Sequence, residues 1–432
     1  MKAAVRIKAA VLFFLALVFS LLLVIGHTRK RQLMPACEET FAPLEQTTLF
    51  IATDLHYLAP ELTDGGTYFQ QVIQNADGKM TDYSQELLDA FVWQAVKESP
   101  DALILSGDLT FNGEALSHQR LAAKLQEIEK AGISVLVIPG NHDLENPMAA
   151  QFVEDGYHLT ESVTAEQFSW IYRDFGYDEA LARDDASLSY VAELAPNLRV
   201  LMVDSNTMAA PGTVTSQTLS WIEEQLQDAA DCGAWVIAVS HQNVLAHNSL
   251  LTAGYVMENA SQLLSLYEQY PVICNLSGHI HLQHIAASKE GFPEIVTSSL
   301  AVHPNQYGVL RLEGTAADYH TEPVGVAAWA REQNRQDPGL QNFPQTARSF
   351  FWDTGYRQAM QALQDDAEKE MLAAFFAEVN TAYFAGRMDT VQWDDALFDA
   401  WQARGGFLSL YLSSIADGGF QKQTVWNGSL GG

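Results

Sequence analysis

Short apolar runs that end at glycine, proline or polar residues alternate with amphipathic stretches along much of the chain. The run SVLVI at residues 134–138 is rich in β-branched residues and stops at Pro139 and Gly140, which indicates a buried strand. The preceding pattern predicts strands at 49–52 and 102–106 and helices at 87–95 and 118–131. Strands that alternate with helices in this way predict an α/β sheet with parallel strands.

The second half of the chain changes its pattern twice. An insertion at residues 145–186 carries one helical pattern, and further strands are predicted at 188–194, 198–204, 235–240 and 272–277, with a helix at 216–230. Three later strands are expected to form a second, antiparallel sheet: 294–298, 307–312 and 317–322. From residue 326 onward only helices are predicted, at 344–366, 372–383, 393–404 and 407–417. The aromatic residues of these helices recur at helical spacing, which favours core and domain-interface packing over a ligand site.

Composition narrows the class of protein. The chain has 432 residues, of which 48% are hydrophobic, so it is long enough for a large globular domain and a smaller one. Its net charge of -29 argues against a nucleic-acid polymer as partner, because phosphate contacts require Lys and Arg. The three cysteines, Cys37, Cys232 and Cys274, are widely spaced, so neither a disulfide framework nor a cysteine metal site is predicted.

The N-terminal segment has the pattern of a membrane anchor. Residues 9–26 are apolar except for Ser20 and lie between two basic clusters, a length at the lower edge of what spans a bilayer. We therefore expect an uncleaved single-pass signal anchor at 1–31, with the catalytic part outside the cell membrane; secretion after signal cleavage is the alternative. The remaining domains are predicted as a linker at 32–46, a catalytic domain at 47–325 and a helical domain at 326–432.

Five predicted strands end in residues that bind metals. Because ligands of open α/β sheets bind at the carboxyl ends of the strands, these side chains are expected to converge. A single His after a strand is more often structural than a ligand, but five such ends in the same position favour a shared site. Gly107, Gly140 and Gly278 precede three of them and are expected to allow abrupt turns. The residues are Asp54 and His56, Asp108, Asn141, His241, and His279 and His281.

The types of donor indicate the metal chemistry. Oxygen and imidazole donors without thiolates suit Mn, Fe or Zn and disfavour a structural zinc site. Seven side chains exceed the need of one ion but suit two divalent ions that share one carboxylate. Two such ions stabilise the attacking and leaving oxygens of an in-line displacement and acidify a bridging water. The pattern therefore predicts a phosphoester hydrolase.

The order D-x-H, GD, GNHD, SH and GHxH, over about residues 47–322, resembles the calcineurin-like metallophosphoesterases. The resemblance implies two mixed β-sheets packed as a sandwich and flanked by helices. It also implies that one metal is bound by Asp54, His56, Asp108 and His281, and the other by Asp108, Asn141, His241 and His279. His142 would be the acid or electrostatic partner of the leaving group, and Asp143 would orient it.

Among subfamilies, the motifs are most similar to the class III cyclic-nucleotide phosphodiesterases and their membrane-anchored bacterial relatives with a C-terminal helical domain. The expected function is hydrolysis of phosphodiesters, with cyclic nucleotides among the candidates, by attack of a metal-bridging hydroxide. The alternatives are a phosphomonoesterase and a lipid-headgroup or cell-wall phosphodiesterase. A non-catalytic binding protein fits less well, because no motif residue is missing. The expected partner is a small phosphate ester, and the sequence assigns no oligomeric state.

Residues outside the motifs were also considered as parts of the site. The segments 57–82, 145–186 and 303–307 are candidates for pocket walls. His247, His284 and His303 are candidates for contacts with the ligands or the substrate, and a structural or solvated role fits each of them equally well.

Overall fold

The computed structural model describes residues 41–208, 210–364 and 366–430. The predicted signal anchor at 1–31 lies outside these ranges, as does Cys37. Within them, none of the helices combines the length and the apolar character needed to cross a bilayer.

Six strands form the first sheet, in the order β15-β14-β13-β1-β2-β3. The neighbouring strands β1, β2 and β3 run parallel, whereas β1 pairs antiparallel with β13, β13 with β14, and β14 with β15. The sheet is therefore mixed. Its strands are β1 (Leu44–Ala52), β2 (Ala102–Leu105), β3 (Ser134–Val137), β13 (Gln306–Gly314), β14 (Ala316–Pro323) and β15 (Val425–Ser429).

Seven strands form the second sheet, in the order β11-β12-β10-β9-β8-β7-β6. Its centre, β8, β9, β10 and β12, is parallel, and the strands at both edges are antiparallel. The strands are β6 (Ala182–Arg183), β7 (Tyr190–Ala195), β8 (Leu198–Val203), β9 (Trp235–Ser240), β10 (Val272–Ser277), β11 (His284–Ala287) and β12 (Pro293–Val296). A separate hairpin, β4 (Ala150–Val153) and β5 (Gly156–Leu159), lies in the insertion at 145–186.

The α-helices of the described residues lie outside the sheets or in the C-terminal region. Those of the catalytic domain are α1 (Thr67–Asn75), α2 (Ser84–Glu98), α3 (Ala115–Lys130), α4 (Ala165–Ile171), α5 (Ser216–Asp231) and α6 (Ala260–Gln269). Those that follow are α7 (Val326–Glu332), α8 (Pro338–Gln341), α9 (Phe343–Leu363), α10 (Lys369–Phe384), α11 (Asp395–Arg404) and α12 (Phe407–Gly418).

The alternation of side chains along β8 shows how the layers pack. Val200 and Met202 lie in the same apolar core as residues of β1 to β3, so this core joins the two sheets. Leu201 and Val203 point to the opposite face, where they pack with apolar residues of α5 and α6. A strand buried on both faces has no polar side, which explains why β8 is apolar except for Arg199, whose Nη1 lies 2.7 Å from Asp228 Oδ2. The structure is thus a sandwich of two mixed sheets with helices outside.

The expectation of a second, antiparallel sheet made from the last three strands is wrong. β12 runs parallel to β10 within the second sheet, and β13 and β14 extend the first sheet next to β1. Pairing with β1 buries Leu310 and Leu312 of β13 in the core between the sheets. The first strand also begins at Leu44, inside the predicted linker at 32–46.

The C-terminal region is helical, as predicted, except for β15. This strand returns to the first sheet and pairs with β14 from Ala316 to His320. The helices α9 to α12 enclose their own apolar core, in which the predicted face of α10 is buried: Leu372, Phe375, Phe376, Val379 and Tyr383. Ile280 and Leu282, which follow β10, belong to the same core. The C-terminal helices therefore pack directly against the segment that carries His279 and His281.

Candidate metal centre

The seven side chains predicted as ligands lie together at one rim of the sandwich, at the carboxyl ends of β1, β2, β3, β9 and β10. Backbone hydrogen bonds connect the turns that carry them. The N–H of Asp54 donates to Gly107 O at 3.0 Å, and that of His56 donates to Asp108 O at 3.0 Å. Between the sheets, the N–H of His279 donates to Asp54 Oδ2 at 2.9 Å. The rim is thus held by the backbone as well as by side chains.

A first cluster consists of Asp54, His56, Asp108 and His281, whose ligand atoms all lie within 4.8 Å of one another. His281 Nε2 lies 3.1 Å from His56 Nε2 and 3.2 Å from Asp54 Oδ1. His56 Nε2 lies 3.7 Å from Asp108 Oδ2. One carboxylate oxygen from each acid and one nitrogen from each imidazole therefore face a common point.

A second cluster consists of Asp108, His241 and His279, again with ligand atoms within 4.8 Å. His241 Nε2 lies 3.4 Å from Asp108 Oδ1 and 3.1 Å from Asn141 Oδ1, which adds the amide oxygen to this group. Asp108 belongs to both clusters, because Oδ2 faces His56 and Oδ1 faces His241. The arrangement is a candidate dinuclear site with a shared carboxylate.

The donor atoms fit bound divalent cations. Asp54 Oδ1 is buried and accepts no well-formed hydrogen bond from the described residues, although a buried carboxylate oxygen normally has a partner. The two Nε2 atoms of His56 and His281, 3.1 Å apart, face each other at the same place. A cation at this point would satisfy all three atoms, whereas an additional hydrogen-bond donor would satisfy only one.

The outward nitrogens of three imidazoles contact oxygen atoms that fix the rings. His241 Nδ1 lies 2.9 Å from Ser106 O, and His279 Nε2 lies 2.8 Å from Gly254 O. As a carbonyl only accepts, these nitrogens carry the proton and the other nitrogen of each ring is free to bind a metal. His281 Nδ1 lies 3.6 Å from Asp77 Oδ2, so a carboxylate takes the corresponding position there.

The metal-free cluster is strongly polarised. Burial alone would raise the pKa of Asp108, but the neighbouring His241 holds it well below the usual range. Burial alone would lower the pKa of His241, and the attraction of Asp108 instead raises it to about 9. Burial lowers the pKa of His279 to about 4, and the charge of His241 acts in the same direction. One anionic carboxylate thus serves as the electrostatic centre of the site.

Five of the predicted ligands have a left-handed backbone, which is uncommon for residues other than glycine. Each such residue costs roughly 1–3 kcal/mol and persists only when its surroundings impose it, most often at functional sites. The φ angles are 51° for Asp54, 42° for His56, 49° for Asp108, 69° for His279 and 62° for His281. This strain has no signature in the sequence, because the connected turns of the folded chain impose it.

The three glycines act in a different way from the expected turns. Only Gly107 has a left-handed φ, of 99°, and a Cβ there would lie 2.6 Å from His241 Nδ1. At Gly140 a Cβ would overlap the backbone nitrogen and carboxylate of Asp108, and at Gly278 it would overlap the side chain of Thr53. Gly140 and Gly278 therefore provide room for ligands and their neighbours rather than an unusual turn.

His142 lies at the edge of the site, with its side chain 31% exposed and its Nε2 3.9 Å from Asp108 Oδ2. Its Nδ1 lies 3.0 Å from both Phe111 O and Asn112 Oδ1. The expectation that Asp143 orients this imidazole is therefore wrong. Asp143 is buried and accepts hydrogen bonds from the backbone N–H groups of Gly140, Leu109 and Thr110, so it holds the loops after β2 and β3 together.

Sequence reasoning missed Asp77 and Lys79, which lie in the predicted pocket wall at 57–82. Lys79 Nζ lies 3.2 Å from Asp77 Oδ2, the oxygen that also faces His281. Lys79 is buried, and its charge contributes to lowering the pKa of His56 after burial itself. The local sequence around Lys79 does not show that this side chain is buried, so only the folded structure identifies it.

The other histidines considered lie outside the two clusters. His247 Nδ1 lies 3.0 Å from His284 Nδ1, and His247 Nε2 lies 3.2 Å from Glu294 Oε2. Glu294 is fully buried and accepts the backbone N–H groups of Val244 and Leu245, so this group supports the loop after His241. His303 packs near Phe351, with ring centroids 6.4 Å apart.

Comparisons with known proteins agree with the motif order. A family model described as calcineurin-like phosphoesterase matches residues 47–283, and one described as the C-terminal domain of cyclic nucleotide phosphodiesterase matches residues 325–419. A probable glycerophosphodiester phosphodiesterase of Arcobacter nitrofigilis is 24% identical over 244 residues, 55% of this chain and 77% of that protein. A 3',5'-cyclic adenosine monophosphate phosphodiesterase of Vibrio vulnificus is 22% identical over 204 residues, 47% of this chain and 62% of that protein.

Among solved structures, a dimetal phosphatase from Danio rerio is similar with a TM-score of 0.47 and 15% identity. The match covers 65% of this chain and 96% of that one.

Proposed function

Because the chain belongs to the calcineurin-like phosphoesterase family, we propose that it hydrolyses small phosphodiesters, with cyclic nucleotides as the first candidate substrates. Family membership makes it a metal-dependent phosphoric ester hydrolase. The diester preference is supported by the phosphodiesterases among its relatives and by the C-terminal match to cyclic nucleotide phosphodiesterase.

The observation that carries the proposal is the position of Asp108 between the two clusters. Its two carboxylate oxygens face different sets of donors, with His56 on one side and His241 on the other. A single-ion site would not need this arrangement, and a structural site would not leave its donors at the rim of the sandwich. The ligand sets proposed from the motifs are Asp54, His56, Asp108 and His281 for one ion, and Asp108, Asn141, His241 and His279 for the other.

The donor set suits Mn, Fe or Zn, because it combines imidazole with carboxylate and amide oxygens. When bound, two such ions supply Lewis acidity toward the phosphoryl oxygens and a nucleophilic water at neutral pH. The protein holds the donors in place through the strained turns, and the fixed ring protons of His241 and His279 keep their ligating nitrogens available.

His142 is proposed to protonate the leaving alcohol. Its Nδ1 carries a proton shared between Phe111 O and Asn112 Oδ1, so its Nε2 is the nitrogen that faces the site. In its imidazolium form His142 carries a second proton, on Nε2. Transfer of this proton to the departing oxygen as the P–O bond breaks lets the leaving group depart as an alcohol rather than an alkoxide.

The diester preference is tested by comparing bis(p-nitrophenyl) phosphate with p-nitrophenyl phosphate after stripping the protein with chelator and adding Mn²⁺. A kcat/KM at least tenfold higher for the diester is expected. Faster hydrolysis of the monoester would instead favour a phosphomonoesterase. Loss of either activity on renewed chelation identifies it as metal-dependent.

The N-terminal sequence supports placement at a membrane, with the catalytic domain outside. The apolar segment 9–26 between two basic clusters is the basis for the anchor, and the outward orientation is proposed because a short basic N-terminus is more commonly retained inside. Membrane fractionation of cells that express the full chain, followed by protease treatment of intact cells, tests it. Protection of the catalytic domain from the protease would contradict the orientation, and recovery in the soluble fraction would contradict the anchor.

A further inference from the structure

We propose that a pocket between the C-terminal helices and the metal centre receives the organic group of the substrate and selects a nucleobase. This inference rests on the proposed phosphodiesterase function and adds the part of the chain that chooses the substrate. The pocket has a volume of about 270 Å³. Drug-sized ligands occupy pockets of about 300–1,000 Å³, so this one suits a group of one or two rings.

Both parts of the protein contribute to this pocket, which we call the interdomain pocket. Helices α9, α10 and α12 supply one wall, and two loops of the catalytic domain supply the other through Asp77, Leu251 and Tyr255. The helical residues are Phe351, Thr354, Gly355 and Gln358 from α9, Phe376, Asn380 and Phe384 from α10, and Phe407, Leu408 and Tyr411 from α12.

The loops that line the interdomain pocket also contact the metal-site histidines. Asp77 Oδ2 lies 3.6 Å from His281 Nδ1. The Tyr255 ring lies 5.4 Å from the His279 ring, and the neighbouring Gly254 accepts the Nε2 proton of His279 at 2.8 Å. The interdomain pocket therefore adjoins the metal centre through the residues that contact His279 and His281.

Aromatic side chains give the pocket its shape. Phe351 and Phe376 are only 3% and 2% exposed, so they are held rigidly by the packing of α9 against α10. Phe351 is also fixed from the catalytic domain, because a Cβ at Gly78 would lie 2.5 Å from its ring. The partly buried rings of Tyr255 and Phe384 and the exposed ring of Phe407 are the aromatic faces on which a planar group can stack.

Polar side chains of the same pocket are placed to form hydrogen bonds with the edge of a bound ring. Tyr411 donates its hydroxyl proton to Asn380 Oδ1 at 2.9 Å. This bond fixes the orientation of the amide, so its NH₂ group is the part left to bind a ligand. This NH₂ group is placed to donate to an acceptor nitrogen on the edge of a purine, such as N7 of adenine. Gln358 and Thr354 line the pocket beside Asn380 and extend this polar edge.

A choline headgroup is the main competitor, because aromatic walls and one carboxylate also bind quaternary ammonium. Two observations argue against choline as the group bound in the pocket. Asp77, the one charged residue among the described residues that line the pocket, already has Lys79 Nζ at 3.2 Å, so its charge is compensated. Choline also offers no acceptor to the amide of Asn380, and leaving a buried polar group without a partner is unfavourable.

Steady-state kinetics of the detergent-solubilised full chain with Mn²⁺ test whether the pocket selects a nucleobase over a choline headgroup. The substrates are 3',5'-cyclic AMP and glycerophosphocholine, and kcat/KM is expected to be at least tenfold higher for the nucleotide. Higher kcat/KM for glycerophosphocholine would overturn the nucleobase proposal while leaving the phosphodiesterase function intact.

Gly355→Ala blocks the pocket with little risk to folding. The added Cβ would lie 3.5 Å from Ala377 Cα and 3.6 Å from Asn380 Nδ2, which are ordinary contacts. Alanine is also the better helix former, so the variant should be as stable as the wild type. We expect KM for cyclic AMP to rise about tenfold, which corresponds to about 1.4 kcal/mol, and KM for glycerophosphocholine to change less. An equal change for both substrates would refute the assignment.

Tyr411→Phe tests Tyr411 as a positioning residue for the Asn380 amide. Tyr383→Phe is the matched control, since Tyr383 also has one buried bond to an asparagine, Asn248 Nδ2 at 3.0 Å, but does not line the pocket. Only the variant at Tyr411 is expected to raise KM for cyclic AMP without a change in kcat. The same effect in both variants would indicate loss of stability rather than loss of positioning.

Adenosine binding separates this inference from the proposed function. Calorimetric titration of the chelator-treated full chain with adenosine is expected to give a Kd of about 1 mM or tighter, and Gly355→Ala is expected to weaken it about tenfold. If no diester is hydrolysed with Mn²⁺, the phosphodiesterase function fails, but adenosine binding that is sensitive to Gly355→Ala still supports the pocket. Absence of binding overturns the pocket assignment.

Discussion

The backbone N–H of His142 donates a 2.8 Å hydrogen bond to Asp108 Oδ1, so the proposed proton donor is fastened to the carboxylate shared by the two clusters. The same oxygen lies 3.4 Å from His241 Nε2. Displacement of Asp108 would therefore move both a ligand set and the group that serves the leaving alcohol. The consequences of changing each residue should differ, which makes their roles separable.

Replacement of Asp108 by Asn should remove the shared charge and with it the second ion. Turnover is expected to fall at least a thousandfold, because the variant loses both the pair of ions and the anchor of His142. Elemental analysis of the purified variant should show no more than one metal ion per chain. Asp204→Asn is a matched control, since Asp204 is a buried carboxylate that accepts the N–H groups of Leu188 and Asn206. Full activity of Asp108→Asn would contradict the bridging role.

His142→Ala should reduce the rate while leaving the metals in place. General acid catalysis contributes about 10²–10⁴-fold, and no ligand atom is removed. The loss should be smallest for p-nitrophenyl esters, whose leaving group departs without a proton, and largest for cyclic AMP, whose leaving group is an alkoxide. Measurement of kcat for both substrates checks this, with metal content as the control. An equal loss for both would show that His142 does not act as the acid.

Removal of metal should lower the thermal stability of the wild type. Ions that bind the folded state at a hundred times their Kd stabilise it by about 2.7 kcal/mol. We expect a drop in Tm of several degrees in chelator and its recovery with Mn²⁺. The same titration with Asp108→Asn should show a smaller recovery. An unchanged Tm in the wild type would indicate that the clusters do not bind the ion tightly.

Gly140→Ala should damage the site although the residue is neither a ligand nor strained. The new Cβ would overlap Asp108, and rigid backbone on both sides leaves it no room to move away. Activity and metal content are both expected to fall at least tenfold. Gly156→Ala, at a glycine with no neighbouring atoms within 4 Å of the added Cβ, should be silent in both measurements.

His118 should make the protein acid-sensitive. It is fully buried between Tyr172 Oη, 2.9 Å from its Nδ1, and Asp143 O, 3.0 Å from its Nε2, and burial lowers its pKa to about 3. An unfolded His has a pKa of about 6.5, so between these values only the unfolded chain binds the proton, and stability falls as the pH decreases. From pH 7 to pH 5 the loss attributable to this residue is about 2 kcal/mol.

Urea unfolding in chelator at pH 7 and pH 5 measures this loss. His118→Gln cannot titrate, so it should be less stable than the wild type at pH 7 and lose less of its stability on acidification. If both proteins show the same pH dependence, another group is responsible.

The convergence of the candidate ligands could be predicted from the sequence because these residues follow directly after recognisable strands. In each case the polar residue follows the end of its strand within a few positions. Five strands with this feature together identify one edge of a sheet. The partners Asp77 and Gly254 are not local to any ligand. They lie in irregular loops, and only the folded chain brings them next to His281 and His279.

The partition of strands between the sheets was less predictable. Strands β12, β13 and β14 are expected in one sheet, yet β12 joins the second sheet and β13 and β14 join the first sheet. Local patterning reports that a strand is half-buried, but not which edge it pairs with. The role of Gly140 is equally hard to predict from local sequence. A side chain at this position would overlap the carboxylate of Asp108, which lies 32 positions earlier in the chain.

The return of β15 to the edge of β14 gives the helical domain two points of attachment to the catalytic domain. One is the direct connection after β14, and the other is the pairing of Val425–Ser429 with Ala316 to His320. A body clamped at both ends cannot swing outward as a hinged lid does. We therefore expect substrate and product to exchange through the mouth of the interdomain pocket. Truncation before residue 425 would convert a fixed wall into a movable one and would expose the edge of β14 to aggregation.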